Sequence, residues 1–463
     1  MTNRWLVPTL VFIGLVVAVV SSLGAPLITA VAVDYGVSLS AAQWTLTIAL
    51  LSGAVATPIL GRLGSGPRRR AVVLTTLAAV VAGSALTVLP LPFAALLIGR
   101  GAQGLGLGLT ALMMATARDH LDPRRSASTI ALLSVASTAG IGVGYPLAGL
   151  LTDLGGVRAA YGLGLAVTAA ALIAAATALP RSRPGTTARV DLVGGTLLTV
   201  ALLGLLLVIS NTDLWRRHLG VTVAVLTLAV VVLVGWVRYE RRAAAPLVDV
   251  RLLRHPAVAF ANVVMFTGGI GMYLLLTLIS RFVQTPDGVG YGFGLDTFQA
   301  GLILVPFSVL GFVAGRFVPR MRERAGARAV LSVSTASVLA AFVLFAVARD
   351  YLVEPVVEMS LLGVGVGAFS AAMPALILSA TPLDETASAM SFNQVVRGVG
   401  FSLGSAIGSL VLTAYTTGGR GFPSDAGYTA AAWTGAAAMA LTLVLIVVRR
   451  DEQRQGHPAT ARA

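Results

Sequence analysis

Residues 91–117 read LPFAALLIGRGAQGLGLGLTALMMATA, an apolar run whose single charged side chain is Arg100. A helix needs about 20 mostly apolar residues to cross roughly 30 Å of hydrocarbon, so this run predicts a membrane span. Arg100 lies about nine residues into the run, which is roughly 14 Å along a helix axis. An ionisable group near mid-membrane is costly, so we predict that Arg100 has a function or ties helices together.

Similar runs fill the rest of the chain. They are continuous rather than alternating, which favours helices over barrel strands, and the first is too long for a cleavable signal peptide. We therefore interpret the first run as one retained helix. The fourteen predicted spans are 6–33, 42–61, 71–89, 91–117, 126–151, 159–179, 193–210, 219–237, 257–280, 297–318, 328–348, 353–379, 387–415 and 428–448.

The composition excludes most soluble classes. Of 463 residues, 56% are hydrophobic and 11% are charged, against roughly 25% charged in soluble globular proteins, and the mean hydropathy is +0.88. Without cysteine, disulfides and thiolate metal sites are impossible. We expect no metal, no cofactor and no nucleic-acid partner, and a membrane protein rather than an enzyme. The four histidines are scattered along the chain at His120, His218, His255 and His457.

The net charge is +14, and all of the positive charge is carried by arginine, because the chain has 33 arginines and no lysine. If the N-terminus is inside, 25 arginines fall in inner segments, six in outer segments, and two, Arg100 and Arg397, within spans. By the positive-inside rule, this bias predicts two cytoplasmic termini and an even number of spans. The inner segments then carry +15, facing an anionic inner leaflet, and the outer segments carry −2.

A weak internal repeat becomes visible when the chain is shifted by 258–260 residues. An even number of spans separates the two copies, so they share one orientation, as in transporters with parallel repeats. We predict an N-terminal six-helix bundle in 1–180, a linker and inserted helix pair in 181–250, a C-terminal six-helix bundle in 251–450, and a tail in 451–463. The aligned glycines are Gly104, Gly106 and Gly108 with Gly363, Gly365 and Gly367, and Gly140 and Gly144 with Gly400 and Gly404.

Three motifs resemble those of the major facilitator superfamily. Residues 100–106, RGAQGLG, resemble its R-x-x-Q-G-x-G motif, and 140–149, GIGVGYPLAG, resemble the glycine-rich motif of its exporters. Residues 61–70, GRLGSGPRRR, are placed like its G-x-x-x-D-R-x-G-R-R loop. The 6+2+6 layout resembles the fourteen-helix drug:proton antiporter branch over roughly 5–450. The resemblance implies an all-α membrane fold of two six-helix bundles plus two inserted helices, and it links Arg100 to proton coupling.

The chain departs from that family pattern at three places. Tyr145 separates the glycine of the exporter motif from its proline, and Ser65 stands at the acidic position of the loop motif. The branch usually carries an aspartate inside span 1, where this chain reads VVSS at 19–22. The nearest acid is Asp34, at the outer end of the span.

Span 13 combines Asn393, Gln394 and Arg397 on one helix face, since residues three or four apart are neighbours. Lipid would not tolerate that face, so we expect it to look inward. It would either line the substrate path, to which we also assign Gln103, or make hydrogen bonds between helices. With two deep arginines and one acid in the spans, the interior is net positive, which favours anionic or neutral substrates over cations.

Glu358 is the one acid that the pattern places inside a span, roughly 8 Å from the helix start at 1.5 Å per residue. Acids near a helix N-terminus are also stabilised by the helix dipole, which is the alternative reading. Our candidates for proton coupling are Arg100, Glu358 and Asp34. For Asp34, a solvated loop acid is the simpler account.

Small residues and turn signals mark the segments that could move. The pairs Gly140/Gly144 and Gly400/Gly404 have the small-xxx-small spacing of close helix packing, and such smooth surfaces could also let two bundles rock. We expect Pro146 to kink or end span 5. Gln43 and Trp44 lie at the outer end of span 2. They either contribute to the substrate path or anchor the helix at the membrane interface, where Trp is common. The remaining candidates for a conformational role are Gly61, Arg69, Arg70 and Gly149.

Together these features predict a secondary transporter that exports small amphipathic compounds or drugs, by proton antiport through alternating access. Without lysine, the G-x-x-x-x-G-K-[ST] nucleotide motif cannot occur, so an ion gradient would supply the energy. The alternatives are a dedicated natural-product exporter, an uncoupled facilitator, and a non-transporting membrane sensor. The expected partners are a small-molecule substrate, protons and the lipid bilayer, and we expect a monomer in the cell membrane.

Overall fold

The computed structural model describes residues 4–24, 26–37, 39–181, 191–210, 218–243, 246, 250–379, 381–383, 385–416 and 422–455. These residues are mainly helical and contain no strand. Much of the predicted linker (182–190), the loop 211–217 and the tail from 456 lie outside them. The helices are α1 (Leu6–Ser22), α2 (Ile28–Tyr35), α3 (Leu39–Leu63), α4 (Arg69–Val88), α5 (Phe93–Gly104), α6 (Leu109–His120), α7 (Pro123–Ala178), α8 (Leu192–Ser210), α9 (Leu219–Glu240), α10 (Pro256–Gln284), α11 (Thr297–Val347), α12 (Val353–Leu378), α13 (Thr386–Ala414) and α14 (Asp425–Gln455).

Ten helices of the described chain are long and apolar enough to cross a membrane. Two more apolar helices, α1 and the Val193–Leu205 part of α8, are shorter. α7, with 56 residues, and α11, with 51, are far longer than a bilayer requires, because each joins two predicted runs. The all-helical membrane fold is confirmed, whereas the count of fourteen spans stays a prediction.

Glycines with positive φ break both long helices. α7 loses helical geometry at Gly155 and at Gly156 (φ 71°), and α11 loses it at Gly326 (φ 81°). This left-handed region of backbone space favours glycine because it lacks a Cβ. Of the two expectations for Pro146, the end of span 5 is wrong, since the helix continues past it, and the kink stays a prediction. Helix α11 packs closely against this proline, because a Cβ added to Gly301 would lie 2.9 Å from the nitrogen of Pro146.

The first run is not one helix, which corrects the sequence interpretation. α1 ends at Ser22 and α2 begins at Ile28, and the interruption contains Gly24 and Pro26. Proline removes a backbone donor and clashes with the preceding turn. Close packing also favours glycine at position 24, because a Cβ there would lie 2.4 Å from Nη2 of Arg100. A buried side chain from another helix therefore occupies the space beside the break.

The helices pack in two groups that meet along two seams. In the first group α7 packs on α1 and α4, and in the second α11 packs on α12 and α14, while α10 packs on α13. One seam joins α7 to α11 and α12, and the other joins α3 to α13. The predicted division into two six-helix bundles, with its residue limits, stays a prediction.

The inserted helices α8 and α9 pack on each other and reach both groups, because α8 also contacts α3 and α13. Their shared core contains Leu198 and Leu202 of α8, Trp236 of α9 and Val395 of α13, with Ile59 of α3 packed against it. The inserted pair therefore covers the α3–α13 seam from outside the two groups.

Candidate functional site

A cavity of about 210 Å³ lies between the two helix groups. The first group contributes residues of α1, α3 and α6 and Tyr145 of α7, and the second contributes α10 and α13. Among the residues that the structure describes, Arg397 is the only charged one in its lining, and none of the lining residues is a carboxylate. The volume is below the roughly 300–1,000 Å³ of pockets for drug-sized ligands, so this conformation accommodates a small molecule.

The wall formed by α10 and α13 carries the charge and two of the aromatic rings. The Arg397 guanidinium carbon lies 5.7 Å from the centre of the Phe401 ring, within reach of a cation–π interaction. Phe401 stacks on Tyr273 with ring centres 5.1 Å apart and planes 18° apart. Gln394, one turn before Arg397, also lines the cavity. The structure thus brings two of the predicted span 13 residues to a cavity wall.

The wall formed by α1 and α3 is apolar with interspersed hydroxyls. Ser21 donates to the carbonyl oxygen of Val17 at 2.7 Å, Ser22 to Val19 at 2.8 Å, and Thr57 to Gly53 at 2.6 Å. Because these hydroxyls donate to backbone, their remaining capacity toward the cavity is as acceptors. Ser21 and Ser22 stand in the segment of span 1 where the resemblance leads one to expect an acid.

Arg100 lies outside the cavity lining, fully buried within the first helix group. Its Nε donates to the carbonyl of Thr45 (3.0 Å), and Nη1 donates to the carbonyl of Val20 (3.2 Å) and to Gln103 Oε1 (2.6 Å). The Tyr161 ring centre is 5.8 Å away. Among the described residues Nη2 has no hydrogen-bond partner, and no carboxylate pairs with Arg100. Arg100 therefore ties α1, α3 and α5 together.

Gln103 belongs to the same buried network, not to the cavity wall. Its amide nitrogen donates to Ser84 Oγ of α4 at 3.0 Å, and it is 2% exposed. Asn393 is likewise turned away from the cavity: its Nδ2 donates to Asn262 Oδ1 of α10 at 3.2 Å. Of the three polar residues on span 13, one ties helices together and two face the cavity. The roles of Gln103 and Asn393 in the substrate path stay predictions.

Glu358 is fully buried in α12, and neither carboxylate oxygen has a hydrogen-bond partner among the described residues. Burying an unpaired charge is very costly, and no described side chain pairs with a charge on this carboxyl. Glu354, one turn earlier, differs because it caps the helix start by accepting from the Tyr351 backbone at 2.8 Å. The structure thus distinguishes a capping acid from a buried acid without partners.

The remaining candidates, Asp34, Gln43 and Trp44, are more exposed than Glu358. Asp34 is exposed near the end of α2, and Gln43 and Trp44 are exposed on α3, so none of the three lines the cavity. Trp44 has the exposure expected of an interfacial anchor. The coupling role of Asp34 and the path role of Gln43 and Trp44 remain untested predictions.

The repeated glycines pack helices inside each group. A Cβ on Gly140 would lie 2.3 Å from the Cβ of Ala18, and one on Gly404 would lie 2.1 Å from the carbonyl oxygen of Ile270. The seams between groups use other glycines, which the repeat did not single out. A Cβ on Gly142 would lie 2.0 Å from Ser308 Oγ, and one on Gly315 would lie 2.2 Å from Val135. Gly149, predicted from the exporter motif, lies at the seam too, with Phe298 Cα 3.1 Å from its Cβ position.

Polar contacts join the two groups where arginines cluster at one end of the helices, which we call the arginine-rich end (62–70, 118–125 and 316–324). Arg62 pairs with Glu385 at 3.1 Å. Arg118 donates to Thr386 Oγ1 at 2.6 Å and to the carbonyls of Thr381 and Leu378 at 2.9 and 3.1 Å. These carbonyls follow or end α12, where the helix dipole is negative. The sequence analysis did not select Arg118, because this residue belongs to none of the recognised motifs.

The loop motif contributes both to this contact and to the first helix group. Gly61 lies against α13, where its Cβ position is 2.2 Å from Ser391 Oγ. Arg69 pairs with Asp119, and Arg70 donates to the carbonyl of Ala176 at 2.7 Å, so both stay within the first group. A second cavity of about 420 Å³ lies at this end and is lined by Arg118 and Arg322 among mostly apolar residues.

An all-helical fold with two helix groups around a central cavity defines a membrane transporter rather than an enzyme. The chain belongs to the Major Facilitator Superfamily, whose sequence model matches residues 10–405, with a second match over 289–463. The resemblance to its drug:proton antiporter branch, proposed from the motifs, is confirmed at the level of the family and its named relatives.

The chain is similar to several bacterial resistance proteins. It is 26% identical over 392 residues to the multidrug resistance protein B homolog of Mycobacterium tuberculosis, covering 82% of this chain and 71% of that one. It is 26% identical to the drug efflux pump JefA of the same species, over 75% and 68% of the two chains. The methylenomycin A resistance protein of Bacillus subtilis is 25% identical over 83% of each chain.

A solved structure has the same fold. The crystal structure of the human organic anion transporter MFSD10 (TETRAN) superposes with a TM-score of 0.68, covering 96% of this chain and all of that one. Because the sequence identity is 17%, this likeness concerns the fold alone.

Proposed function

We propose that this protein exports small amphipathic compounds across the cell membrane by alternating access. The observation that carries the proposal is the central cavity, which both helix groups line. The named relatives, multidrug resistance and efflux proteins at 25–28% identity, support drugs or other small molecules as cargo. A dedicated natural-product exporter would use the same cavity.

In the proposed topology fourteen spans cross the membrane and both termini are cytoplasmic, so the arginine-rich end faces the cytoplasm. The described conformation joins the two groups at that end through Arg62–Glu385 and Arg118. Loading from the cytoplasm would require these contacts to open. A substrate that binds the two conformations with different affinity would shift their populations. We propose that the monomer is the transporting unit.

We propose Glu358 as the proton-binding group of an antiport cycle. Its burial without partners means that the neutral carboxyl is tolerated and the charged one is not. Deprotonation would therefore favour a conformation that admits water or a cation to α12. In the same proposal, Arg100 transmits the change between α1, α3 and α5. Asp34, exposed near the end of α2, would serve at most as a proton relay.

The test is transport in proteoliposomes with a pH gradient, using ethidium, benzenesulfonamide and benzenesulfonate as cationic, neutral and anionic probes. An internal pH dye reports proton movement. We expect substrate flux to be coupled to protons in the wild type and uncoupled in Glu358→Gln. Glu354→Gln, one turn away, is the matched control and should stay coupled. Coupling that survives Glu358→Gln would refute the role of Glu358, and the absence of flux for all three probes would refute export.

An uncoupled facilitator is the second candidate, favoured because no described residue of the cavity lining is a carboxylate. Drug:proton exchange is simplest when the proton and the substrate compete for one acid, and the described lining offers none. The same liposomes decide between the two candidates. A facilitator would move its substrate down the concentration gradient at a rate that a pH gradient does not alter.

A further inference from the structure

The charge of the central cavity points to a specific class of substrate. Arg397 contributes a positive charge, and every other lining residue in the described part of the chain is neutral. Of the 19 acidic residues in the sequence, only Glu354 and Glu358 fall within a predicted span, both in 353–379, and neither is part of the described lining. A positive charge behind the opposite wall adds to this field, because Arg100 binds the carbonyl of Val20, next to Ser21. The cavity is therefore electropositive from two sides.

The polar groups of the cavity are distributed unevenly. Hydrogen-bond donors gather on the α10–α13 wall, where Arg397, Gln394 and the Tyr273 hydroxyl are found. On the α1 wall, the hydroxyl hydrogens of Ser21 and Ser22 are donated to backbone carbonyls. An anionic group is stabilised by donors and repelled by acceptors, so it would lie against α13. An apolar ring would then face Val17, Leu46 and Leu50.

Aromatic side chains define the shape of the space. Phe401 and Tyr273 are stacked, and Tyr145 from α7 is a third aromatic residue of the lining. Offset stacking on such rings favours a flat, unsaturated ligand. The Arg397 guanidinium lies close to the Phe401 ring, so one ligand could stack on the rings and place an anionic substituent at the guanidinium.

We propose that the substrates of this protein are small monovalent organic anions with a single planar ring, bound by Arg397. This inference rests on the proposed function only for the direction of movement, because anion binding can be measured without transport. It also gives the missing acid in span 1 a reason: a carboxylate at Ser21 or Ser22 would repel the ligand. An inside-negative potential would also favour the export of such an anion, by about tenfold for each ~59 mV.

Three probes of nearly equal size separate charge from shape. They are benzenesulfonate, a permanent anion, benzenesulfonamide, which is neutral, and benzyltrimethylammonium, a permanent cation. Binding is measured with radiolabelled benzenesulfonate on the purified full chain in nanodiscs, with the other two as competitors. We expect the anion to bind at least about tenfold more tightly than the cation, a difference of about 1.4 kcal/mol. Equal or tighter binding of the cation would overturn the proposal.

Substitutions assign the effect to Arg397. Arg397→Gln should weaken benzenesulfonate binding by about tenfold or more, as expected for loss of a charge-assisted hydrogen bond, and leave benzenesulfonamide nearly unchanged. Arg281→Gln, an exposed arginine on α10 outside the lining, is the matched control and should change neither. If Arg397→Gln does not fold, Ser21→Asp keeps the arginine and should still weaken the anion while admitting the cation. Retained anion preference in either folded variant would refute the assignment.

A transport arm keeps the two proposals separable. In liposomes holding a potassium diffusion potential without a pH gradient, benzenesulfonate flux should follow the potential in the wild type and vanish in Arg397→Gln. Arg397-dependent binding without flux would support the anion site and count against export. Flux of benzyltrimethylammonium in preference to benzenesulfonate would support export and overturn the anion site.

Discussion

The two helix groups bury their ionisable residues in different ways. The first group encloses Arg100, which is fully buried and hydrogen-bonded to α1, α3 and Gln103. The second places Arg397 on the cavity wall and buries Glu358 without a partner among the described residues. Repeat-related helices thus share their packing and differ in their charges. Depth in the membrane therefore does not decide whether an arginine is enclosed among carbonyls or lines a cavity.

The largest expected effect tests the structural role of Arg100. Arg100→Leu leaves the Gln103 side chain and two carbonyls without their donor, and we expect it to lower the free energy of unfolding by about 3 kcal/mol. Arg397→Leu should lower it by less, because the Arg397 side chain is only half-buried whereas Arg100 is fully buried. Thermal unfolding of the purified variants measures both. A cavity variant that is as unstable as Arg100→Leu would remove the distinction between the two arginines.

The next effect compares one glycine position in the two repeats. Gly404→Ala should destabilise by about 2 kcal/mol, because the new Cβ meets the backbone of Ile270, with its carbonyl oxygen at 2.1 Å. At the repeat-related Gly144 the nearest atom is Ser22 Oγ, at the tip of a side chain that can rotate. Gly144→Ala should therefore cost less. Gly162→Ala, with open space around it, is the control, and equal costs at all three positions would contradict the packing argument.

Substitution of Arg118 tests whether its hydrogen bonds hold the two helix groups together at the arginine-rich end. Arg118→Ala removes charge-assisted hydrogen bonds to the end of α12 and to Thr386, so the joined conformation should lose about 1.5 kcal/mol. Because the chain lacks cysteine, spin labels can be attached at Arg124→Cys and Glu323→Cys, both exposed. We expect electron paramagnetic resonance to show a longer distance population. Arg125→Ala is the control, and an unchanged distribution in Arg118→Ala would show that this contact does not hold the ends together.

Glu358 should respond with the opposite sign to Arg100. Glu358→Leu replaces a buried carboxyl without partners by an apolar group, so we expect stability to rise or stay level, by about 1 kcal/mol at most. Thermal unfolding at pH 7 checks the sign, with Glu354→Leu as the control that should destabilise through loss of a helix cap. A strongly destabilised Glu358→Leu would indicate a partner for this carboxyl.

The smallest effect concerns Tyr291, in the loop between α10 and α11, whose hydroxyl donates to the carbonyl of Pro423. Burial, followed by Tyr428 and Asp425, raises the pKa of Tyr291 to about 12. Because the pKa is raised in the folded state, Tyr291 contributes its full stabilisation at pH values below its unfolded-state pKa of about 10. That contribution is lost as the pH rises toward 12. The stability difference between wild type and Tyr291→Phe should be constant from pH 7 to 9 and shrink above pH 10. A difference independent of pH up to 12 would contradict this.

Sequence reasoning was most reliable where one strong force decides the outcome. The apolar runs predicted the helical membrane fold, because hydrocarbon leaves the backbone no other way to satisfy its hydrogen bonds than in helices or closed barrels. It was less reliable within single runs. The break at Gly24–Pro26 and the continuous helix through Pro146 depend on neighbours, Arg100 in one case and Gly301 in the other.

For the candidate site, sequence reasoning identified the deep polar residues but not their surroundings. It grouped Asn393, Gln394 and Arg397 on one face, yet Asn393 binds Asn262 while the other two line the cavity. A helical face is wide enough to serve a neighbouring helix and a cavity at once, and only the packing of α10 separates these roles. Arg118 was missed because its partners are backbone carbonyls more than 250 residues away in sequence.

The sequence by itself determined that this chain is a helical membrane protein with two related halves and a superfamily motif around Arg100. Hydropathy, charge bias and repeat spacing are properties of residue order, so they need no coordinates. Only the tertiary structure decided which deep charges share a cavity. It placed Arg397 on the cavity wall, enclosed Arg100 among carbonyls and left Glu358 without a partner among the described residues. The physical reason is that the cost of a charge in hydrocarbon depends on its neighbours, and distant segments of the chain supply those neighbours.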